Sequence, residues 1–170
     1  ITPPVSRVEA LSEFTSTTEF PVSWAGTDDS SGIASYTIWV AQDNLTFKPS
    51  LNDTPLKAAY YPGRDGHKYS FYSCGVDRAF NREAAHPEAD TFTSVDVTPP
   101  VSGFVGLAPS QSKKSFPVFW SGKDSTSGIA VYDVYYSDNK GPFSLWLQQV
   151  DKTSAQFESK EFHEYAFYTI

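Results

Sequence analysis

The 170-residue sequence has no methionine, one cysteine and few basic residues. Because it lacks an initiator methionine, we expect a processed chain or a part of a longer polypeptide. A single cysteine, Cys74, permits neither an internal disulfide nor a thiolate metal site, and we expect a poorly accessible free thiol. Apolar runs last only a few residues, far short of the roughly 20 that span a bilayer, so we expect no direct membrane insertion.

Acidic residues outnumber basic ones by 20 to 13, which gives a formal net charge of −7. The lysines and arginines are scattered along the chain, whereas proteins that bind phosphate backbones cluster them. We therefore expect no nucleic acid partner, and an anionic membrane surface is disfavoured because it attracts polybasic segments. Hydrophobic residues make up 39% of the chain and aromatic residues 16%, which is enough for a packed core.

The sequence repeats itself at an offset of 96 residues. The segment FPVSWAG at residues 20–26 falls on FPVFWSG at residues 116–122, and HKYSFY at residues 67–72 falls on HEYAFY at residues 163–168. About a third of the 74 overlapping positions are identical. A match spread over that length indicates a duplication.

The repeat predicts two domains, one module over residues 1–96 and a second copy over residues 97–170. Ile170 aligns with Cys74, so we expect the second copy to be incomplete at its C-terminus. The joint at residues 96–100 contains the consecutive prolines Pro99 and Pro100, which favour extended geometry and a stiff link.

Apolar residues within each module alternate with a period of two, which predicts β-strands. The clearest strands are predicted at residues 20–24, 36–40, 69–75 and 91–97, with copies at residues 116–120 and 132–136. Turn-forming clusters such as DDSSG at residues 28–32 separate them, and no stretch shows a convincing helical period. Short strands with such turns, in units of about 100 residues, predict an all-β sandwich.

The segments FPVSWAGTDDSSGIASYTIWV and PGRDGHKYSFYSCGVDRAFN resemble fibronectin type III-like (immunoglobulin-like) repeats of large bacterial surface and secreted proteins. The resemblance implies two tandem β-sandwiches, the second truncated within strand F of that family. It implies Trp24 and Trp120 as core tryptophans, and Tyr69 and Tyr165 as tyrosine-corner residues whose hydroxyls bond to upstream backbone. Phe80 stands where the family pattern has glycine.

The same resemblance implies a non-catalytic spacer, presentation or adhesion module of an extracellular or cell-surface protein, with neighbouring modules of the same chain as partners. We predict no enzymatic activity, because no nucleophile–base pattern surrounds any of the three histidines. His67 and His163 lie at equivalent places beside the corner tyrosines, which favours a structural role.

Calcium is the one candidate cofactor. Asp28 and Asp29 in the first copy, and Asp124 in the second, place carboxylates at the same predicted turn. Ca²⁺ binds six to eight oxygens, so such a turn would need further ligands. The alternative is that these side chains cap the amides of their own turn.

Four aromatic residues form the candidate ligand-binding site. Strand alternation turns Trp39 and Tyr72 outward on neighbouring strands, and Tyr135 and Tyr168 are their copies. Such rings could stack on a polysaccharide, which would make the chain a carbohydrate-binding accessory module of a secreted hydrolase. The alternative is that they are cross-strand pairs that stabilise the sheet.

The incomplete second copy also predicts an open strand edge. A strand from another chain can fill such an edge, which would make the protein a self-associating subunit of an extracellular fibre. The alternative is an arbitrary boundary of the fragment.

Overall fold

A computed structural model describes residues 2–86 and 88–170, and Ile1 and Pro87 lie outside the described residues. The described residues form strands, turns and bends but no helix, so the all-β prediction is confirmed. Nor is there, over these same ranges, a helix long and apolar enough to cross a membrane. The chain divides into two compact units, unit 1 (Ile1–Val97) and unit 2 (Thr98–Ile170).

The described part of unit 1 forms eight strands in two sheets. They are β1 (Val5–Val8), β2 (Phe14–Thr15), β3 (Glu19–Thr27), β4 (Ile33–Gln42), β5 (Lys48–Thr54), β6 (Ala58–Pro62), β7 (Lys68–Asp77) and β8 (Thr91–Val95). One sheet has the order β1–β3–β6 and the other the order β2–β8–β7–β4–β5. Pairing is antiparallel throughout, except that β2 runs parallel to β8.

Both sheets of unit 1 contribute to one hydrophobic core. Strand β3 buries Phe20, Val22 and Trp24 on one face, because successive side chains of a strand point to opposite sides. Strand β7 supplies Tyr69 and Phe71 from the other sheet. The alternation predicted for these two strands is therefore confirmed for their inward faces.

Unit 2 forms six strands among its described residues. They are β9 (Val101–Phe104), β10 (Ser115–Lys123), β11 (Tyr132–Asp138), β12 (Ser144–Val150), β13 (Ser154–Glu158) and β14 (Tyr165–Thr169). The two sheets have the orders β13–β10–β9 and β12–β11–β14. The core contains Phe116, Val118 and Trp120 from β10, packed with Val134 and Phe157.

The 96-residue offset extends to details of the backbone. The β4–β5 pairing is irregular between residues 36 and 39, and the β11–β12 pairing is irregular between residues 132 and 135. Asp43 and Asn44 have φ values of 51° and 62°, and Asn139 and Lys140 at the equivalent places have the same two values. The two copies thus share these strand irregularities and turns, although only about a third of their aligned residues are identical.

Two strands of unit 1 have no counterpart among the described residues of unit 2. Strand β8 ends at Val95, two residues earlier than predicted, and pairs with both β7 and β2. In unit 2 the place of β2 is taken by irregular backbone at residues 107–114, and β14 pairs only with β11 there. The two units therefore differ along one side of one sheet.

The predicted tyrosine corners are present in both units. The amide of Arg64 donates to the hydroxyl of Tyr69 at 3.0 Å, and the amide of Lys160 donates to the hydroxyl of Tyr165 at 3.0 Å. Phe80 adopts a φ of 66°, the left-handed conformation that glycine favours. The turn thus has the backbone conformation that suits glycine, although phenylalanine occupies the position. The left-handed conformation costs about 1–2 kcal/mol for such a residue.

Candidate functional site

The aspartates predicted as calcium ligands bind to their own turns. Oδ2 of Asp28 accepts hydrogen bonds from the amides of residues 30–32 at 2.6–3.1 Å. Oδ1 of Asp124 accepts them from the amides of residues 126–128 at 2.8–3.0 Å. The structure therefore has the capping arrangement that was the alternative to calcium.

These hydrogen bonds also stabilise the ionised carboxylates. The amide of Gly32, followed by those of residues 30 and 31, lowers the pKa of Asp28, and the amides of Thr126 and Gly128 lower the pKa of Asp124. Asp29 is exposed beside the first turn. Within residues 2–86 and 88–170, no three acidic, histidine or cysteine side chains come together in a way that could hold a metal.

Asp28→Ala should destabilise unit 1 at neutral pH and have little effect in acid. In the folded protein the pKa of Asp28 lies below its ordinary value of 3.8. At pH values above 3.8 the ionised carboxylate therefore stabilises the fold, and this stabilisation is lost as the pH falls through the lowered pKa. Asp124→Ala should behave likewise in unit 2. Thermal melts of wild type and variants should converge between about pH 4 and about pH 2, and a gap that persists in acid would contradict this reading.

The predicted aromatic pair of unit 1 is present but covered. Trp39 and Tyr72 face each other across β4 and β7, with stacked rings whose centroids are 5.7 Å apart. The prediction that Tyr72 is exposed is wrong, because only 4% of it is accessible. Phe47 and His86 pack against its ring at 4.7 Å and 4.6 Å, and Trp39 itself is half-buried.

In the copy of this pair in unit 2, Tyr135 is half-buried like Trp39, but Tyr168 is more exposed than Tyr72. Tyr135 and Tyr168 face each other across β11 and β14, with parallel rings at 4.6 Å. Phe143, at the place equivalent to Phe47, contacts Tyr168 at 4.8 Å. Tyr168 is 37% exposed and Phe143 is 47% exposed. Each ring of the stacked pair covers one face of the other, which is the geometry of a cross-strand pair.

The residues after β7 include the covering segment, defined as residues 82–86 and 88–96, of which His86 packs on Tyr72. Its residue Glu83 accepts hydrogen bonds from the amide of Ser6 at 3.0 Å, the hydroxyl of Ser6 at 2.6 Å and the amide of Gly75 at 2.8 Å. Ser6 belongs to β1 and Gly75 to β7, which lie in different sheets. The carboxylate of Glu83 therefore links the two sheets.

A second carboxylate of the covering segment makes a similar link. Oδ2 of Asp90 accepts hydrogen bonds from the amide of Val8 in β1 at 2.8 Å and from the amide of Ser73 in β7 at 3.1 Å. We call Glu83 and Asp90 the carboxylate clasp. Sequence reasoning missed the clasp, because neither residue lies in a periodic segment and the 96-residue offset gives neither a copy within the chain.

Both repeat-equivalent histidines pair with carboxylates. His67 Nδ1 lies 2.6 Å from Asp43 Oδ2, and His163 Nδ1 lies 2.6 Å from Asp138 Oδ1. The hydrogen bond with His67, together with one from the amide of Lys68, lowers the pKa of Asp43. The two pairs are equivalent in space, although the carboxylates occupy neighbouring rather than identical repeat positions. Each pair joins the end of one strand to the start of another.

Cys74 is buried under the covering segment. Its sulfur lies 3.9 Å from the carbonyl oxygen of Ala84. Burial, followed by the charges of Glu83 and Asp90, raises the pKa of the thiol to about 11. Burial and the neighbouring negative charges thus both disfavour the thiolate, which is the reactive form of the side chain.

The thiol of Cys74 should therefore resist a thiol reagent in the native protein. At about pH 8 we expect negligible reaction over the time in which the protein unfolded in guanidinium reacts completely. A colorimetric thiol assay with and without denaturant measures this. Rapid stoichiometric reaction of the native chain would show that the covering segment opens readily.

No protein-family model matches this sequence, and no curated protein matches it. The residues that looked most suited to binding form turn caps, cross-strand pairs and buried links between strands.

Proposed function

We propose that the chain comprises two tandem fibronectin type III-like sandwiches that act as a non-catalytic spacer, presentation or adhesion segment of a bacterial extracellular or cell-surface protein. The observation that carries this proposal is the reuse of one backbone plan. Strand order, register irregularities and left-handed turns recur at the 96-residue offset. Such repetition is typical of proteins whose task is to extend an array of similar units.

The use of the polar residues supports the same proposal. Asp28 and Asp124 cap turns, His67 and His163 pair with neighbouring carboxylates, and the carboxylate clasp joins two sheets. In a spacer such groups serve stability and shape. The acidic net charge of −7 disfavours nonspecific association of neighbouring chains.

A spacer must hold its units at a defined separation, and the consecutive prolines Pro99 and Pro100 provide stiffness at the joint. Spin labels at the equivalent exposed turn positions, Asp29→Cys and Ser125→Cys in a Cys74→Ala background, measure that separation by electron–electron double resonance. We expect a narrow distance distribution, and a broader one when both prolines are replaced by glycine. A wild-type distribution as broad as that of the glycine variant would overturn the proposed spacer mechanism.

The exposure of Tyr168 and Phe143 favours a second candidate, a carbohydrate-binding accessory module. Aromatic rings on an open sheet face are suited to contact sugar rings, although one face of Tyr168 is already covered by Tyr135. Retention of the chain on insoluble polysaccharides, lost in Tyr168→Ala but kept in Tyr60→Ala, would support this candidate. Tyr60 is a matched control because it is an exposed tyrosine of unit 1. If the chain is not retained on any member of a broad polysaccharide panel, the carbohydrate-binding candidate is ruled out.

A further inference from the structure

A cleft of about 200 Å³ lies in unit 1 between β5 and β6. These two strands are the edges of their sheets on this side of the unit. The cleft is lined by Trp24, Ile38 and Phe71, which are buried, and by Leu51 and Tyr61, which are half-buried. It therefore leads from the surface to the hydrophobic core.

Unit 2 differs from unit 1 at one position of this cleft. The 96-residue offset aligns Ser50 with Trp146. The strand register supports this alignment, because β5 pairs with β4 in the same register in which β12 pairs with β11. Trp146 is half-buried and packs against the core of unit 2, whereas Ser50 is exposed and lines the cleft.

The ring contacts of Trp146 show which group suits this space. Its indole lies edge-on to the rings of Phe157 and Trp120, at centroid distances of 5.1 Å and 6.3 Å, and 5.9 Å from the ring of Phe167. Edge-on contacts of aromatic rings are favourable beyond the burial of apolar area. The repeat equivalents of these three rings all line the cleft of unit 1, and they are Trp24, Tyr61 and Phe71.

The size and polarity of the cleft suit an uncharged aromatic molecule. An apolar cavity of about 150 Å³ within a protein is sufficient to bind benzene, and the volume of this cleft is about 200 Å³. None of the described residues that line it is charged, and its hydroxyl groups are those of Ser50, Tyr60 and Tyr61. A charged group would lose hydration in such a place without gaining a partner of opposite charge.

From these observations we propose that the cleft of unit 1 binds a small, uncharged, planar aromatic molecule of about the size of indole. The ligand lies where the indole of Trp146 lies in unit 2, and it contacts Trp24, Tyr61 and Phe71. In unit 2 the side chain of Trp146 excludes such a ligand. This inference goes beyond the proposed spacer function and does not depend on it.

The probe is indole, added to the 170-residue chain. Calorimetry measures its affinity, and NMR shifts of methyl groups locate its site. We expect saturable binding with a Kd of about 1 mM or below. The methyl groups of Ile38, Leu51 and Ala59, which line the cleft, should shift, whereas those of unit 2 should not.

Ser50→Trp gives unit 1 the side chain that fills the equivalent space in unit 2. The position is exposed, so we expect the fold to be retained, as an unchanged circular dichroism spectrum checks. The affinity for indole should fall at least about tenfold, because the new side chain occupies the cleft. Asn52→Trp is the matched control, since it adds the same side chain to β5 at an exposed position that does not line the cleft. It should bind indole as wild type does.

Three results would overturn the proposal. The first is the absence of saturable indole binding to the wild-type chain, and the second is an equal affinity of wild type and Ser50→Trp. The third is a blocked glycine–tryptophan–glycine peptide that binds more tightly than indole, which would assign the cleft to a side chain of a partner polypeptide.

Discussion

Trp24→Ala and Trp120→Ala should each lower the free energy of unfolding of their own unit by about 3–5 kcal/mol. Trp24 is 2% exposed and Trp120 is 1% exposed, and both lie in the centre of their cores. Truncation of so large a buried side chain removes its packing contacts and leaves a cavity. Urea unfolding followed by NMR signals from each unit separates the two effects.

Replacement by phenylalanine should distinguish the two tryptophans. Nε1 of Trp24 donates to the carbonyl of Leu56 at 2.8 Å, whereas the buried Nε1 of Trp120 has no hydrogen-bond partner within the described ranges. Trp24→Phe therefore breaks a hydrogen bond, while Trp120→Phe removes an unpaired polar group. We expect Trp24→Phe to cost about 1–3 kcal/mol more than Trp120→Phe. Equal costs would contradict the assigned roles of the two indole groups.

Asp90→Ala should destabilise unit 1 by about 1–3 kcal/mol for each amide that loses its acceptor. The two amides are those of Val8 and Ser73, both in residues that are fully buried. Asp90→Asn is the matched control, since its amide oxygen can still accept both hydrogen bonds. Urea titration of the three proteins should rank wild type first, Asp90→Asn second and Asp90→Ala last. An Asp90→Ala variant as stable as wild type would show that the clasp does not hold the sheets together.

The sequence alone predicted the parts of the fold that depend on short-range pattern. A period of two at residues 20–24 identifies Phe20, Val22 and Trp24 as one face of a strand, and burial of that face is a direct consequence. For such a strand, the local sequence pattern is sufficient to predict which side chains are buried. The tyrosine corner was expected only from the resemblance to fibronectin type III-like repeats, and its hydrogen bond joins Tyr69 to the amide of Arg64, five residues upstream.

The exposure of the aromatic face was not predictable in the same way. Alternation assigns Tyr72 to the outer face of its strand, but it does not reveal that a later segment crosses that face. His86, which packs against Tyr72, lies in residues without periodic pattern. Comparison of the two copies could not reveal this contact either, because the 96-residue offset takes His86 to a position beyond residue 170. Burial here results from tertiary contact rather than from strand periodicity.

The histidine pairs show a further limit of residue-by-residue comparison. Asp43 aligns with Asn139 and Asp138 aligns with Gln42, so the carboxylate moves by one position between the copies. Both carboxylates nevertheless reach a histidine at 2.6 Å. Neighbouring positions at the end of a strand can thus provide the same contact, which a search for identical residues overlooks.

Amide hydrogen exchange of the 170-residue chain tests most directly whether one structural unit is used twice. Equivalent inner strands, β4 and β11, should both exchange slowly. Amides of β7 that bond to β8 should also be slow, whereas the equivalent amides of β14, which pair with no strand on that side among the described residues, should exchange much faster. Fast exchange in either β4 or β11, or equal protection of β7 and β14 at these positions, would contradict the strand pairing assigned to the two units.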